Sequence, residues 1–86
     1  MNYVYIVECS DGTFYTGWTN NLQKRIYMHS KGTGAKYTKG RGPVKLVYNE
    51  IFETKEAAMK REYQIKKLTR KEKLVLIGAE FNKLSN

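Results

Sequence analysis

The chain has 86 residues, a formal net charge of +8 from 16 Lys and Arg against 8 Asp and Glu, and a single cysteine and a single histidine. This length predicts one domain spanning residues 1–86 and excludes a catalytic domain joined to a separate recognition domain, while one Cys and one His exclude a zinc finger. The positive charge favours a polyanionic partner, and nucleic acid is favoured over a membrane surface. Charge alone is also compatible with a basic protein that has no such partner.

The first 18 residues predict a β-hairpin. Residues 3–9 and 13–18 are rich in aromatic and β-branched types, which is typical of strands. The segment Ser10-Asp11-Gly12 between them predicts a turn.

Two turn geometries are compatible with this hairpin. A two-residue turn puts Tyr5 and Tyr15 on opposite faces of the sheet. A three-residue loop, with Gly12 in the left-handed region, pairs Cys9 with Thr13 and places the two tyrosines diagonally on one face. We adopt the second geometry because a site shared by the two tyrosines requires it.

A first helix is predicted after the hairpin. Asn20 is a suitable N-cap, and the helix is predicted to end near Lys31, before the stop signal Gly32. Arg25 and His29 are four residues apart, so they project from the same side of this helix, toward the edge of the sheet.

The segment 32–43 predicts a flexible, electropositive loop, because it holds four of the seven glycines and the only proline. Within it, Tyr37 stands among Lys36, Lys39 and Arg41. Basic residues interleaved with an aromatic ring suit phosphate contact and base stacking, and a connection this long in a small domain is more often functional than idle. We therefore expect this loop to bind nucleic acid.

Residues 44–52 predict a third strand, and Thr54 can cap a second helix after it. Glu62 lies on the otherwise apolar face of that helix, where a carboxylate needs a partner. One explanation is an ion pair with Lys66 at i+4, which the helix by itself favours, and the other is a metal ligand.

A capping box from Thr69 to Glu72 predicts the start of a third helix. This helix is predicted to end at Gly78, and residues 79–86 are predicted to form a loosely held tail. The elements then follow the order β-β-α-β-α-α, which predicts an α+β fold.

Several of these side chains are suited to cutting a phosphodiester. Arg25 can donate two hydrogen bonds to phosphate oxygens, His29 can assist proton transfer, and Glu62 can hold a divalent cation such as Mg²⁺ with water as most of the other ligands. Tyr5 and Tyr15 have an ordinary pKa near 10, so they are poor bases unless nearby cations lower that pKa. We expect Arg25, His29 and the basic loop to lower it.

The same residues resemble a known family in their order along the chain. Tyr3-Val4-Tyr5 and Tyr15-Thr16-Gly17 are similar to the GIY and YIG signatures of the GIY-YIG nuclease superfamily, although Tyr3 replaces the first glycine. The segment from Asn21 to Arg25 resembles the family's arginine helix, and Glu62 its metal-binding glutamate. The resemblance covers residues 3–67 and is closest to a small, stand-alone bacterial branch.

That resemblance implies a three-stranded antiparallel sheet flanked by three helices. It implies Tyr5 and Tyr15 in water activation, Arg25 on the phosphate, and Glu62 on Mg²⁺ or Mn²⁺. His29 matches a position where some branches carry His and others Tyr. The implied function is a metal-dependent endonuclease that hydrolyses phosphodiester bonds in nucleic acid, with DNA favoured over RNA and with low sequence specificity.

A second interpretation is a non-catalytic nucleic-acid-binding module with a vestigial site. The high positive charge without a recognition domain favours this interpretation, and the complete set of ionisable residues opposes it. Dependence on Mg²⁺ separates the two, because a binding module does not need the metal.

The single cysteine also bears on location. Cys9 cannot form an internal disulfide, so we expect a reducing, cytoplasmic setting. No apolar run is long enough to span a membrane, and the N-terminal segment lacks a signal-peptide pattern. We expect no membrane association and find no indication of an obligatory protein partner.

Overall fold

A computed structural model describes the backbone of residues 1–85 and the side chains of residues 1–78. The elements are β1 (Asn2–Glu8), β2 (Phe14–Thr19), α1 (Leu22–Ser30), β3 (Lys45–Phe52), α2 (Lys55–Lys66) and α3 (Arg70–Ser85). The strands form one antiparallel sheet in the order β2-β1-β3, which confirms the predicted α+β fold and element order. Among the residues described, no helix is long and apolar enough to cross a membrane.

The three-residue hairpin loop is confirmed. Gly12 has a φ of +83°, and the Cys9 N–H donates to the Thr13 carbonyl at 2.8 Å. The resulting register pairs β1 with β2 so that Tyr5 and Tyr15 lie on the same face of the sheet. The alternative two-residue turn would have separated them.

The hydrophobic core lies on the opposite face of the sheet. Alternate side chains of β1 point there and pack with one tyrosine of β3 and two residues of α2, forming a cluster of Val4, Ile6, Tyr48, Ala58 and Ile65. The sheet therefore separates an apolar core from the face that carries the two signature tyrosines.

The helix caps agree with the sequence at two of three positions. Thr54 caps α2, and Thr69 and Glu72 exchange the two hydrogen bonds of a capping box at the start of α3. The prediction of Asn20 as the cap of α1 is wrong by one residue. β2 extends through Thr19, and it is Asn21 whose side chain accepts the backbone N–H three residues later at 3.2 Å.

The predicted helix end at Gly78 is also wrong, because α3 continues to Ser85. Glycine ends a helix when it adopts a left-handed conformation, as Gly32 does after α1 with a φ of +82°. Gly78 instead keeps helical backbone, at a cost of about 1 kcal/mol relative to alanine. The loosely held tail predicted for residues 79–86 concerns side chains that lie outside the described residues.

Candidate active site

A buried chain of hydrogen bonds crosses from the sheet to the loop after α1. The Tyr5 hydroxyl lies 2.7 Å from His29 Nε2, and His29 Nδ1 lies 2.8 Å from the Thr38 hydroxyl. The Thr38 hydroxyl also lies 3.0 Å from the Ala35 carbonyl oxygen. Tyr5, His29 and Thr38 are all 0% exposed, so this chain is shielded from solvent.

The direction of these hydrogen bonds follows from the last link. A carbonyl oxygen only accepts, so the Thr38 hydroxyl donates its single proton to Ala35. With that proton donated to Ala35, we assign Thr38 as the acceptor of His29 Nδ1–H, an assignment that leaves Nε2 without a proton. The Tyr5 hydroxyl therefore donates to Nε2. His29 Nε2 is thus positioned to accept the proton of the Tyr5 hydroxyl.

Tyr15 joins this chain to the basic loop. Its ring lies 5.2 Å from the His29 ring and stacks on the Tyr37 ring at 5.7 Å. The Arg41 guanidinium lies 4.3 Å from the centre of the Tyr37 ring and pairs with Asp11 at 3.1 Å. The loop therefore packs against Tyr15 through Tyr37. The positive charge of Arg41 is partly neutralised by Asp11.

Two glycines make room for the buried side chains. A Cβ on Gly17 would lie 2.6 Å from the Tyr5 hydroxyl and 3.2 Å from the Tyr15 ring. A Cβ on Gly34 would lie 2.6 Å from His29 Nδ1. Neither contact is sterically acceptable, so both positions require the absence of a side chain. Gly17 belongs to the second signature tripeptide, whereas the sequence did not distinguish Gly34 from its neighbouring glycines.

Arg25 lies beside the Tyr5–His29 pair on α1. Its side chain is half-buried, and its Nε is buried without a hydrogen-bond partner among the residues described. A buried cationic donor without a partner is costly, so it favours an anion as its missing partner. Arg25 also lines an open depression of about 220 Å³, together with Asn21 and Lys24.

Glu62 lies on α2 with 18% of its side chain exposed. Its Oε2 lies 3.5 Å from Lys66 Nζ, so the ion pair considered from the sequence is present. No group of three or more potential metal ligands occurs within the described residues. A single carboxylate still fits Mg²⁺, which commonly keeps several water ligands and binds through one or two protein carboxylates.

Lys36 and Lys39 are exposed in the loop and make no ion pair with any described residue. Beside the loop, α3 and the β1–β2 hairpin border an open depression of about 210 Å³. Its lining consists of Thr13, Phe14, Tyr37, Arg70 and Lys73. α3 therefore adds two basic residues beside the loop, and neither of them was predicted from the sequence to belong to the binding surface.

The comparison with known families agrees with this arrangement. A profile of the GIY-YIG catalytic domain matches residues 1–74, which include both tyrosine tripeptides, Arg25, His29 and Glu62. The chain belongs to the GIY-YIG family. This is a nuclease superfamily, and the matched region is its catalytic domain.

Similar GIY-YIG proteins have nearly the same length as this chain. A UPF0213 protein of Clostridium perfringens is 64% identical, covering 100% of this chain and 92% of that protein. A UPF0213 protein of Halobacterium salinarum is 54% identical over 88% of this chain and 99% of that protein. The solution NMR structure of a UPF0213 protein from Bacillus halodurans matches with a TM-score of 0.60 and 51% identity, over 92% of this chain and 85% of that one.

The electrostatics of the candidate site differ from the sequence-based expectation. Burial raises the pKa of Tyr5 to about 12 and outweighs the opposing effect of Arg25, while the Glu62 charge raises that pKa further. Burial, reinforced by the Arg25 charge, lowers the pKa of His29 to about 4. The expected lowering of the Tyr5 pKa is therefore wrong, because β1 is the buried central strand and His29 is neutral rather than cationic.

The lowered pKa of His29 predicts a measurable pH dependence of stability. Between about pH 6.5 and about 4, the unfolded chain binds a proton that the folded chain excludes, so the free energy of unfolding falls as the pH falls. We expect the histidine NMR titration to have its midpoint near 4. Urea unfolding of His29→Gln should show a weaker loss of stability over the same pH range. A midpoint at or above 6.5 would contradict the burial described here.

Proposed function

We propose that the protein is a metal-dependent endonuclease that hydrolyses phosphodiester bonds in nucleic acid, DNA in preference to RNA, with low intrinsic sequence specificity. The observation that carries this proposal is the buried Tyr5–His29 hydrogen bond at 2.7 Å, placed beside Arg25, whose buried Nε has no hydrogen-bond partner among the described residues. The Tyr5–His29 pair can accept a proton, and the adjacent Arg25 can bind an anion such as a phosphate. The catalytic residues in this proposal are Tyr5, Tyr15, Arg25, His29 and Glu62.

Arg25 binds the phosphate in this proposal. The guanidinium can donate two hydrogen bonds to the non-bridging oxygens, and a partly buried position strengthens the attraction. This contact also orients the phosphorus atom near Tyr5 and Tyr15, which lie on the same face of the sheet.

The proton of the attacking water passes through Tyr5 to His29. The Tyr5 hydroxyl is buried, so this proposal requires the bound nucleic acid to admit the attacking water to it. The Tyr5 oxygen accepts a proton from this water while its own proton moves to His29 Nε2. The oxygen of the resulting hydroxide bonds to phosphorus as the bond from phosphorus to the leaving sugar oxygen breaks, and that oxygen takes a proton from solvent. The phenol is neutral before and after the transfer, so its pKa of about 12 is compatible with this role. Because Arg25 lowers the pKa of His29, a phosphate that neutralises Arg25 makes His29 a better base.

Glu62 would hold the divalent metal, which when bound supplies positive charge for the phosphate and the leaving oxygen. Lys66 pairs with Glu62 Oε2 at a partly exposed position, where such a pair contributes at most about 1 kcal/mol. A divalent cation can therefore displace Lys66 at little cost.

The test is cleavage of a panel of single-stranded, duplex and branched DNA and RNA by the purified protein with Mg²⁺, Mn²⁺ or EDTA. We expect cleavage with either metal, none with EDTA, and little dependence on sequence. Binding without metal-dependent cleavage of any member would overturn the proposal in favour of a non-catalytic binding module.

The basic loop is expected to contribute phosphate contacts to nucleic-acid binding. Changing Lys36 and Lys39 together to Ala should weaken that binding and reduce the log–log salt slope by about 0.7–0.9 for each phosphate that the variant no longer neutralises. Arg41 is left intact because it pairs with Asp11 and contacts Tyr37. Binding is measured by fluorescence anisotropy over a salt series.

A matched control removes the same charge from α2. Lys60 in α2 and Lys67 at its C-cap are exposed, and their double alanine variant has the same net charge as the loop variant. We expect its salt slope to stay closer to that of the unmodified protein. Equal losses of affinity in the two variants would assign the binding to overall charge rather than to the loop.

A further inference from the structure

We propose that Thr38 is a positioning residue that keeps the ring proton of His29 on Nδ1 and so reserves the Nε2 lone pair for the Tyr5 hydroxyl. The consequence for catalysis rests on the proposed function, whereas the consequence for the histidine tautomer does not. Thr38 belongs to the loop, and neither tyrosine signature includes it.

The contact of Thr38 with the Ala35 carbonyl supports one polarity for the hydrogen-bond chain. Thr38 is 0% exposed, so no solvent competes for its hydroxyl. Its proton goes to the Ala35 carbonyl at 3.0 Å, which leaves only an acceptor for His29 Nδ1 at 2.8 Å. A neutral imidazole with its proton on Nδ1 has its free lone pair on Nε2.

Loss of the Thr38 hydroxyl would remove this constraint. A valine has almost the same shape but accepts no hydrogen bond, so a proton on Nδ1 would be buried without a partner. The histidine would then favour a proton on Nε2, where the Tyr5 oxygen can accept it. Tyr5 would lose the acceptor for its own proton, and transfer from water through Tyr5 to His29 would be blocked.

Contacts with α1 fix the loop that carries Thr38 and so maintain the contact between Thr38 and His29. Gly34 lies against the His29 ring with no room for a side chain, and the Ser30 hydroxyl accepts the Val44 N–H at 3.2 Å where the loop returns to β3. Thr38 also lies between Lys36 and Lys39 in sequence, so the segment proposed to bind phosphates is the one that sets the tautomer.

The test uses long-range ¹H–¹⁵N correlation spectra of the full chain without a histidine tag, at about pH 7 where the ring is neutral. The chain has one histidine, so every ring signal belongs to His29. We expect the unmodified protein and Thr38→Ser to show the Nδ1–H form, and Thr38→Val to shift toward the Nε2–H form. Thr16→Val is the matched control, because the Thr16 hydroxyl is buried with no partner among the described residues.

Cleavage rates provide the second readout. We expect Thr38→Val to be slower by on the order of 10-fold or more, and Thr38→Ser and Thr16→Val to stay within about threefold of the unmodified rate. An Nε2–H form in the unmodified protein, or an unchanged Nδ1–H form in Thr38→Val, would overturn the role of Thr38. Because the spectra need no substrate, a protein without cleavage activity would overturn the proposed function and leave the tautomer result decisive for Thr38.

Discussion

Replacing Glu62 with Gln is expected to reduce metal-dependent cleavage by on the order of 10²-fold or more. Glutamine keeps the shape of the side chain but removes the anionic oxygen that a hard cation such as Mg²⁺ requires. Stability should change little, because the ion pair with Lys66 is partly exposed and contributes at most about 1 kcal/mol. Single-turnover rates and urea unfolding measure the two effects.

The matched control for this variant is Glu56→Gln. Glu56 lies in the first turn of the same helix and is exposed, so its variant has the same change in charge without touching the site. We expect its cleavage rate to remain near that of the unmodified protein. Comparable rates for the two glutamine variants would remove Glu62 from the reaction.

Tyr5→Phe is expected to have an effect of similar size, on the order of 10²-fold or more in the cleavage rate. The substitution keeps the buried ring but removes the hydroxyl that links water to His29 Nε2. It also leaves the buried Nε2 without its donor, so the free energy of unfolding should fall by about 1–3 kcal/mol. Rates and unfolding are measured under the same solution conditions.

Tyr48→Phe separates the chemical effect from the effect on stability. Tyr48 is 7% exposed on the core face, its hydroxyl donates to Glu50, and burial raises its pKa to about 12 as it does for Tyr5. Its variant loses a buried hydroxyl on the face of the sheet opposite the tyrosine signatures, so cleavage should be retained. Equal activity of the two phenylalanine variants would show that the Tyr5 hydroxyl takes no part in proton transfer.

The sequence predicts most of the fold because its local signals agree with its tertiary contacts. The aromatic and β-branched residues of 3–9 and 13–18 and the Ser10-Asp11-Gly12 turn define the hairpin, and the two threonine caps define where α2 and α3 begin. The wrong predictions of helix boundaries arise where the local sequence is compatible with two alternatives. Asn20 and Asn21 are both good caps, and only the length of β2 decides between them. Gly78 resembles a stop signal, but the backbone stays helical there.

The candidate site is less predictable because part of it comes from the return of a loop. Helix spacing is enough to place Arg25 and His29 on one side of α1. The contact of Thr38 with His29 depends instead on how the segment 32–43 folds back, and that segment has no periodicity. The depth of Tyr5 in the central strand likewise depends on the sheet order, and it reverses the expected direction of the pKa shift.

The most direct measurement is the single-turnover cleavage rate over a common Mg²⁺ titration for the unmodified protein, Glu62→Gln and Tyr5→Phe. We expect a saturable rate for the unmodified protein and rates lower by on the order of 10²-fold for both variants at high Mg²⁺. The glutamine variant should also need more Mg²⁺ for half-saturation, whereas the phenylalanine variant should not. Cleavage by Glu62→Gln at the unmodified rate, or no metal-dependent cleavage by the unmodified protein, would contradict a nuclease site built from these residues.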